Sequence, residues 1–286
     1  MFPNLNTGAI GVKATLPEAI DFAHQYGFAG IDFSITEAEQ LVQRDGLAYV
    51  RDLFESKNVK PGSFGFPVEF RKDEETWRDG IGALPGQAKL AADLGCQRTA
   101  TWLVSGSNER DFFENFKFHV ERISPAAAIL ADHGISLGLE FIGPKTLRQT
   151  FTHRFIYTLE GMLALGAAMG TGNVGLLLDI WHLYTSHGTV DQVRELEASQ
   201  VVVVHINDAP AGIDVDEQID NVRALPGETV VLDSKGFLNA LVEIGYDGPV
   251  TAEPFSQRVR EMAPEAAVAA TAESVRKVWQ DAGLKV

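Results

Sequence analysis

The run Ile244-Gly245-Tyr246-Asp247-Gly248-Pro249-Val250-Thr251-Ala252-Glu253 holds the pattern that decides the fold. The stretch leading into it, 234–245, carries Phe237, Leu238, Leu241, Val242 and Ile244 mostly at helical spacing behind an Asp233/Ser234 cap. Gly245 suits the left-handed conformation that closes a last helical turn, and a short β-rich run begins within a few positions. The same joint recurs as Tyr26-Gly27-Phe28-Ala29-Gly30-Ile31-Asp32-Phe33 and as Leu94-Gly95-Cys96-Gln97-Arg98-Thr99-Ala100-Thr101-Trp102. It returns as His133-Gly134-Ile135-Ser136-Leu137-Gly138-Leu139-Glu140. Each copy marks a passage from helix to strand.

Working outward, weaker runs predict strands near 5–10, 30–34, 62–66, 99–103, 136–142, 174–180, 201–206 and 249–254. Helices are expected over 16–26, 38–56, 86–94, 110–133, 159–169, 189–199, 234–245 and 264–282. Strands such as Val201-Val202-Val203-Val204 are apolar throughout, which suits a parallel sheet buried on both faces. A doubly wound open sheet would favour a glycine-rich phosphate turn after the first strand, and Asn6-Thr7-Gly8-Ala9-Ile10-Gly11 is no GxGxxG match. Eight strand–helix repeats of about 36 residues predict a single (β/α)8 TIM barrel over 1–286, one catalytic domain. The longest non-periodic stretch, 207–233, is expected to be a loop over the active face.

Acidic residues outnumber basic ones 39 to 24, a net charge of −15. This argues against a nucleic-acid backbone or an anionic membrane as partner. One cysteine excludes a disulfide framework and a thiolate metal cluster. Met1-Phe2-Pro3-Asn4-Leu5-Asn6 lacks the basic and apolar regions of a signal peptide, so a cytoplasmic protein is expected.

The informative polar residues stand where apolar strands finish. Four successive strands end in Glu140, Asp179, His205 and Glu253. Groups at the C-terminal ends of parallel barrel strands share one pocket. Any one alone is more often a rim group, a cap or a packed histidine; four in succession point to a site. Three carboxylates together resist common ionisation unless a cation joins them. The set suits one divalent ion, Mn²⁺ or Mg²⁺ with Co²⁺ as a further candidate, and no nucleotide is expected.

These positions resemble the xylose-isomerase-like TIM-barrel superfamily, in its sugar isomerase/epimerase branch of tagatose and allulose epimerases and inosose isomerases and dehydratases. The likeness runs from Glu140 to Phe255 by motif and covers the first half by strand spacing alone. It implies that Glu140, Asp179, His205 and Glu253 bind the metal. It also implies that His182, in Asp179-Ile180-Trp181-His182, contacts a substrate oxygen. Ala224-Leu225-Pro226-Gly227-Glu228 is similar to the family's last βα unit. Two positions depart from the ketose epimerases: Thr146 stands for a second glutamate and Ala211 for an arginine, both of which contact substrate in those enzymes.

The expected activity is isomerisation or epimerisation of a sugar or ketosugar through a cis-enediolate, with Glu140 and Glu253 as the proton-transfer pair. The same first step serves a lyase or dehydratase that expels a β-substituent from a 3-keto sugar, inosose or glycoside. His182, Lys145, Trp102 and Phe66 are candidate substrate contacts; an exposed lysine and core aromatics are the plain alternatives for the last three. Asp32 could line the pocket, while Cys96 is expected to be inert. An endonuclease-IV-like reading draws on His205-Ile206-Asn207-Asp208-Ala209, yet the additional histidines that enzyme needs are missing. A non-catalytic sugar-binding barrel has no need for opposed carboxylates on a metal. The partner expected is a small carbohydrate, and an alanine-rich face over 263–272 could support a homo-oligomer.

Overall fold

A computed structural model describes residues 1–285 and bears out the barrel. Its strands are β1 (Phe2–Leu5), β2 (Gly30–Phe33), β3 (Lys60–Gly65), β4 (Arg98–Leu103), β5 (Ser136–Phe141), β6 (Val174–Asp179), β7 (Val201–Ile206) and β8 (Pro249–Ala252). All are parallel, each beside the next, and β8 returns to β1 with Phe2 opposite Pro249 and Asn4 opposite Thr251. Every residue of β7 is buried, as is all of β6 after its first, as a sheet covered by helices requires. The glycine joints behave as the repeat implies: Gly27, Gly95, Gly134 and Gly245 have φ of 80°, 81°, 68° and 78°.

The first strand lies earlier than expected. Residues 6–11 form a turn in which Asn6 Oδ1 accepts from the Ala9 N–H at 3.1 Å and the Gly11 N–H reaches the Gly8 carbonyl. The helix expected over 38–56 is two, Ile35–Asp45 and Leu47–Glu55, parted by Gly46 at φ 90° and ψ 157°. The one expected over 86–94 runs from Glu74 to Asp93 and absorbs three glycines and Pro85. Asp73 caps it by accepting from the Thr76 N–H at 2.9 Å, and the Trp77 indole N–H donates to the Arg122 carbonyl. Tertiary anchoring outweighs poor propensity there. The segment 189–199 holds only the short helix Val190–Arg194, followed by a 3₁₀ turn, Ala198–Gln200. Among the described residues no helix is long and apolar enough to cross a membrane.

Inside the barrel, the Asp32 carboxylate accepts from Asn4 Nδ2 (2.7 Å), Ser63 Oγ (2.6 Å), Thr251 Oγ1 (3.2 Å) and Asn6 Nδ2 (3.3 Å). It is a polar hub drawn from the first, second, third and last strands and the turn after the first. Cys96 is fully buried, and burial pushes its thiol up to about 12.

His119, in the helix Phe112–Asp132, is buried with Nδ1 2.7 Å from the Asn115 carbonyl and its ring stacked on Phe155. Burial, rather than the nearby Arg110 and Arg71, chiefly pulls its pKa down to about 4. The unfolded chain therefore binds a proton between about pH 6.5 and 4 that the native chain refuses. The contribution is complete above pH 6.5 and is lost as pH falls through that window, by up to about 3 kcal/mol. Urea unfolding is expected to show a flatter pH dependence in His119→Phe than in the wild type over this range. Parallel curves would remove His119 from the account.

Candidate functional site

Glu140 ends the apolar part of β5, Asp179 ends β6, and His205 stands opposite Asp179 near the end of β7. Glu253 follows β8, its N–H bonded to the Ile206 carbonyl. Each offers one ligand atom, and the four atoms all lie within 4.8 Å of one another. Glu140 Oε1 and His205 Nδ1 are buried without hydrogen-bond partners and lie 3.9 Å apart. His205 Nδ1 is 3.4 Å from Glu253 Oε2 in a geometry that makes no hydrogen bond. Two orphaned electron-pair donors facing one space fit a divalent cation. Burial, then Glu253, pushes Glu140 well above the usual carboxylate range. Burial also pushes Glu253 upward, but His205 and Arg223 outweigh it and hold it low.

Arg223 is the residue that sequence reasoning missed. Its buried guanidinium donates from Nη1 to Asp179 Oδ2 at 2.8 Å and Glu253 Oε2 at 3.1 Å, and from Nη2 to Asp220 Oδ1 at 2.9 Å. It lies over the rings of Trp181 and Phe255, at 5.2 and 4.7 Å. Two charges ~4 Å apart at an effective dielectric of about 20 interact by about 4 kcal/mol, so this guanidinium is a large term. One arginine and one divalent ion would together balance the three carboxylates. A signal existed: Arg223 is the only lysine or arginine in 207–233, a loop otherwise rich in acids.

A second carboxylate holds that loop in place. Asp208 is fully buried, and Oδ1 accepts from the N–H groups of Ala209, Val231 and Leu232 while Oδ2 accepts from Thr229 and Val230. Asp208 and Ala224 also exchange backbone hydrogen bonds of 2.9 and 2.8 Å, which sets Arg223 over the cage. Val230 takes φ 59° to complete the cradle, a costly conformation for a β-branched side chain.

His182 meets a donor at each ring nitrogen: the Gly143 N–H donates to Nδ1 at 3.1 Å, and Arg223 Nη2 lies 3.2 Å from Nε2. Nε2 lies 3.7 Å from both Glu140 Oε1 and Asp220 Oδ1. Burial, then Arg223, holds the ring well below the usual histidine range, so it is a neutral imidazole. Arg148 donates to the Gly143 carbonyl and stacks on Tyr157, fixing the peptide that orients the ring.

A cavity of about 400 Å³ opens above these groups. Trp102, Val104, Ile142, Leu147 and Phe255 give it an apolar wall, and Asp220 and Asn221 a polar one. Of the expected substrate contacts, His182 and Trp102 line it. Phe66 does not; it is half-buried and packs on Phe70. The exposed Lys145 Nζ instead pairs with Asp216 Oδ2 at 2.6 Å. The Thr146 hydroxyl donates to the Gln218 carbonyl and so ties the same loop down.

Comparison with known proteins places this geometry. The model of the xylose isomerase-like TIM barrel family matches residues 20–278. The chain belongs to that family. It is 23% identical to an inosose isomerase of Bacillus velezensis over 93% of this chain and 92% of that one. It is 25% identical to a 3-dehydroshikimate dehydratase of Pseudomonas putida, over 88% of this chain and 38% of that longer protein. A xylose isomerase domain protein from Alicyclobacillus acidocaldarius superposes with a TM-score of 0.88 at 27% identity, covering 98% and 99% of the two chains.

Metal titration checks the cage. One Mn²⁺ per chain is expected by calorimetry, and a hundredfold excess over Kd is expected to stabilise the fold by about 2.7 kcal/mol. Glu140→Gln is expected to keep its fold and lose most of that shift. An unchanged shift would mean that the ion binds elsewhere.

Proposed function

We propose that this family member is a divalent-metal-dependent isomerase or epimerase of a keto-polyol, the barrel acting as one catalytic unit. The observation that carries the reading is the convergence of Glu140 Oε1, Asp179, His205 Nδ1 and Glu253 within 4.8 Å, with two of these atoms unpartnered. The hard, oxygen-rich set favours Mn²⁺ or Mg²⁺, with Co²⁺ as a further candidate. When bound, the ion supplies Lewis acidity at the carbonyl and its neighbouring hydroxyl.

Glu140 and Glu253 come from strands three apart in the barrel order and face the same cavity. One carboxylate takes the proton from the carbon beside the carbonyl. If the same carboxylate returns it to the adjacent carbon, aldose and ketose interconvert. If the other delivers it from the opposite face, the carbon is inverted. His182 lines the cavity as a neutral imidazole and hydrogen-bonds the oxygen on which charge develops. Arg223 holds Asp179 and Glu253 in place, opposing the burial that raises the first and helping to keep the second low. Trp102 and Phe255 offer apolar faces to the C–H side of a sugar and exclude water.

Elimination is the second reading, favoured by the likeness to the Pseudomonas putida dehydratase. Proton removal is the same, but the electron pair then expels a β-hydroxyl, which leaves with a proton as water.

Exchange in deuterated water tests both readings. The Mn²⁺-loaded protein is expected to incorporate deuterium into at least one of an inosose, a ketohexose and 3-dehydroshikimate. Glu253→Gln is expected to slow this by about 10²–10⁴. Absence of exchange with the whole panel would sink the enzyme reading. In Gly143→Ala, the new Cβ would meet the His182 carbonyl and the Thr185 hydroxyl. We expect kcat to fall at least about tenfold through loss of the oriented imidazole, with Mn²⁺ affinity nearly unchanged; equal kcat in a folded variant would discount this constraint.

A further inference from the structure

Arg71 lies in the loop between β3 and the helix Glu74–Asp93, on the C-terminal side of the strands where the cage opens. Its guanidinium is held between two rings, 4.2 Å from the Phe70 centroid and 4.1 Å from that of Trp102. Trp102 in turn lines the cavity and stands in register with Glu140 on the neighbouring strand. Arg71 is thus one indole away from the metal cage.

This half-buried cation has few partners. It forms no ion pair with any carboxylate of the described residues, and Glu69 acts on it only through space. Nε is buried with no hydrogen-bond partner, and Nη2 reaches only Thr101 Oγ1, at 3.4 Å. The buried arginines are satisfied: Arg223 by three carboxylates, Arg148 by the carbonyls of Gly143 and Thr185. Burial lowers Arg71 to about 10, so it remains charged at neutral pH. A half-buried guanidinium with an unpartnered Nε lacks a counter-charge, and stacking leaves its in-plane N–H edge free for a carboxylate.

We propose that Arg71, backed by Trp102, is a subsite for a carboxylate on the substrate, so that the cage works on a keto-polyol bearing one carboxyl group. This rests on the enzymatic reading of the cage and narrows its substrate class. A carboxylate fits better than a phosphate, because Glu69 acts on the same guanidinium through space and repels a dianion more strongly than a single charge.

The test is calorimetric titration of the Mn²⁺-loaded protein with 3-dehydroshikimate, which carries a carboxylate, and with an inosose, which is neutral. Wild type is expected to bind the acid at least about tenfold more tightly, as one charged hydrogen-bonded pair allows. Arg71→Met is expected to lose that advantage, leave inosose binding unchanged and retain Mn²⁺ affinity; Arg71→Lys is expected to recover part of it. Inorganic phosphate is expected to compete only weakly. Equal or weaker binding of the acid by wild type overturns the subsite. So does an equal loss for both ligands in Arg71→Met, which would mark a packing role through Trp102, or strong competition by phosphate. Proton exchange on 3-dehydroshikimate with no dependence on Arg71 would overturn this inference and leave the enzymatic reading standing. Absence of exchange on any ligand would overturn the enzymatic reading itself.

Discussion

Three carboxylates and an imidazole crowd the mouth of this barrel, and their mutual repulsion is the constraint around which the rest is arranged. Desolvation there penalises each ionised group, and proximity penalises them together. The chain answers with Arg223, which neutralises one charge and leaves two for a divalent ion. Because Arg223 comes from a loop rather than a strand, the loop must itself be rigid. Asp208 supplies that rigidity with five backbone N–H bonds, and Thr146 and Lys145 hold the loop from the other side.

The barrel was legible because its signals are local. Glycine joints such as Gly27 and Gly245 reflect a backbone preference within a few residues, and apolar runs such as 201–204 reflect burial on both faces. The ligand positions were legible for the same reason, since direction along a parallel strand sets which end faces the site. Glu74–Asp93 was under-read because Gly80, Gly82, Pro85 and Gly86 speak against a helix that Trp77 and the Asp73 cap nonetheless secure.

What stayed hidden depends on contacts between distant segments. Arg223 meets Asp179 across 44 positions, and no periodicity encodes that meeting. Lys145 drew attention by being near Glu140 in sequence, yet Asp216, 71 positions away, takes its charge. The orphaned state of Arg71 is equally invisible in a string, because it is defined by partners that are missing in space.

The Asp208 cradle gathers the amides of residues 229–232 and, through Ala224, sets the far end of the loop as well. Between these clamps, Ala211, Gly212 and Ile213 are exposed and carry no polar side chain, whereas Asp216 is held by Lys145. This tip is therefore a cassette: a change of sequence or length at 211–213 leaves the clamp and the arginine where they are, and with them the charge balance of the mouth.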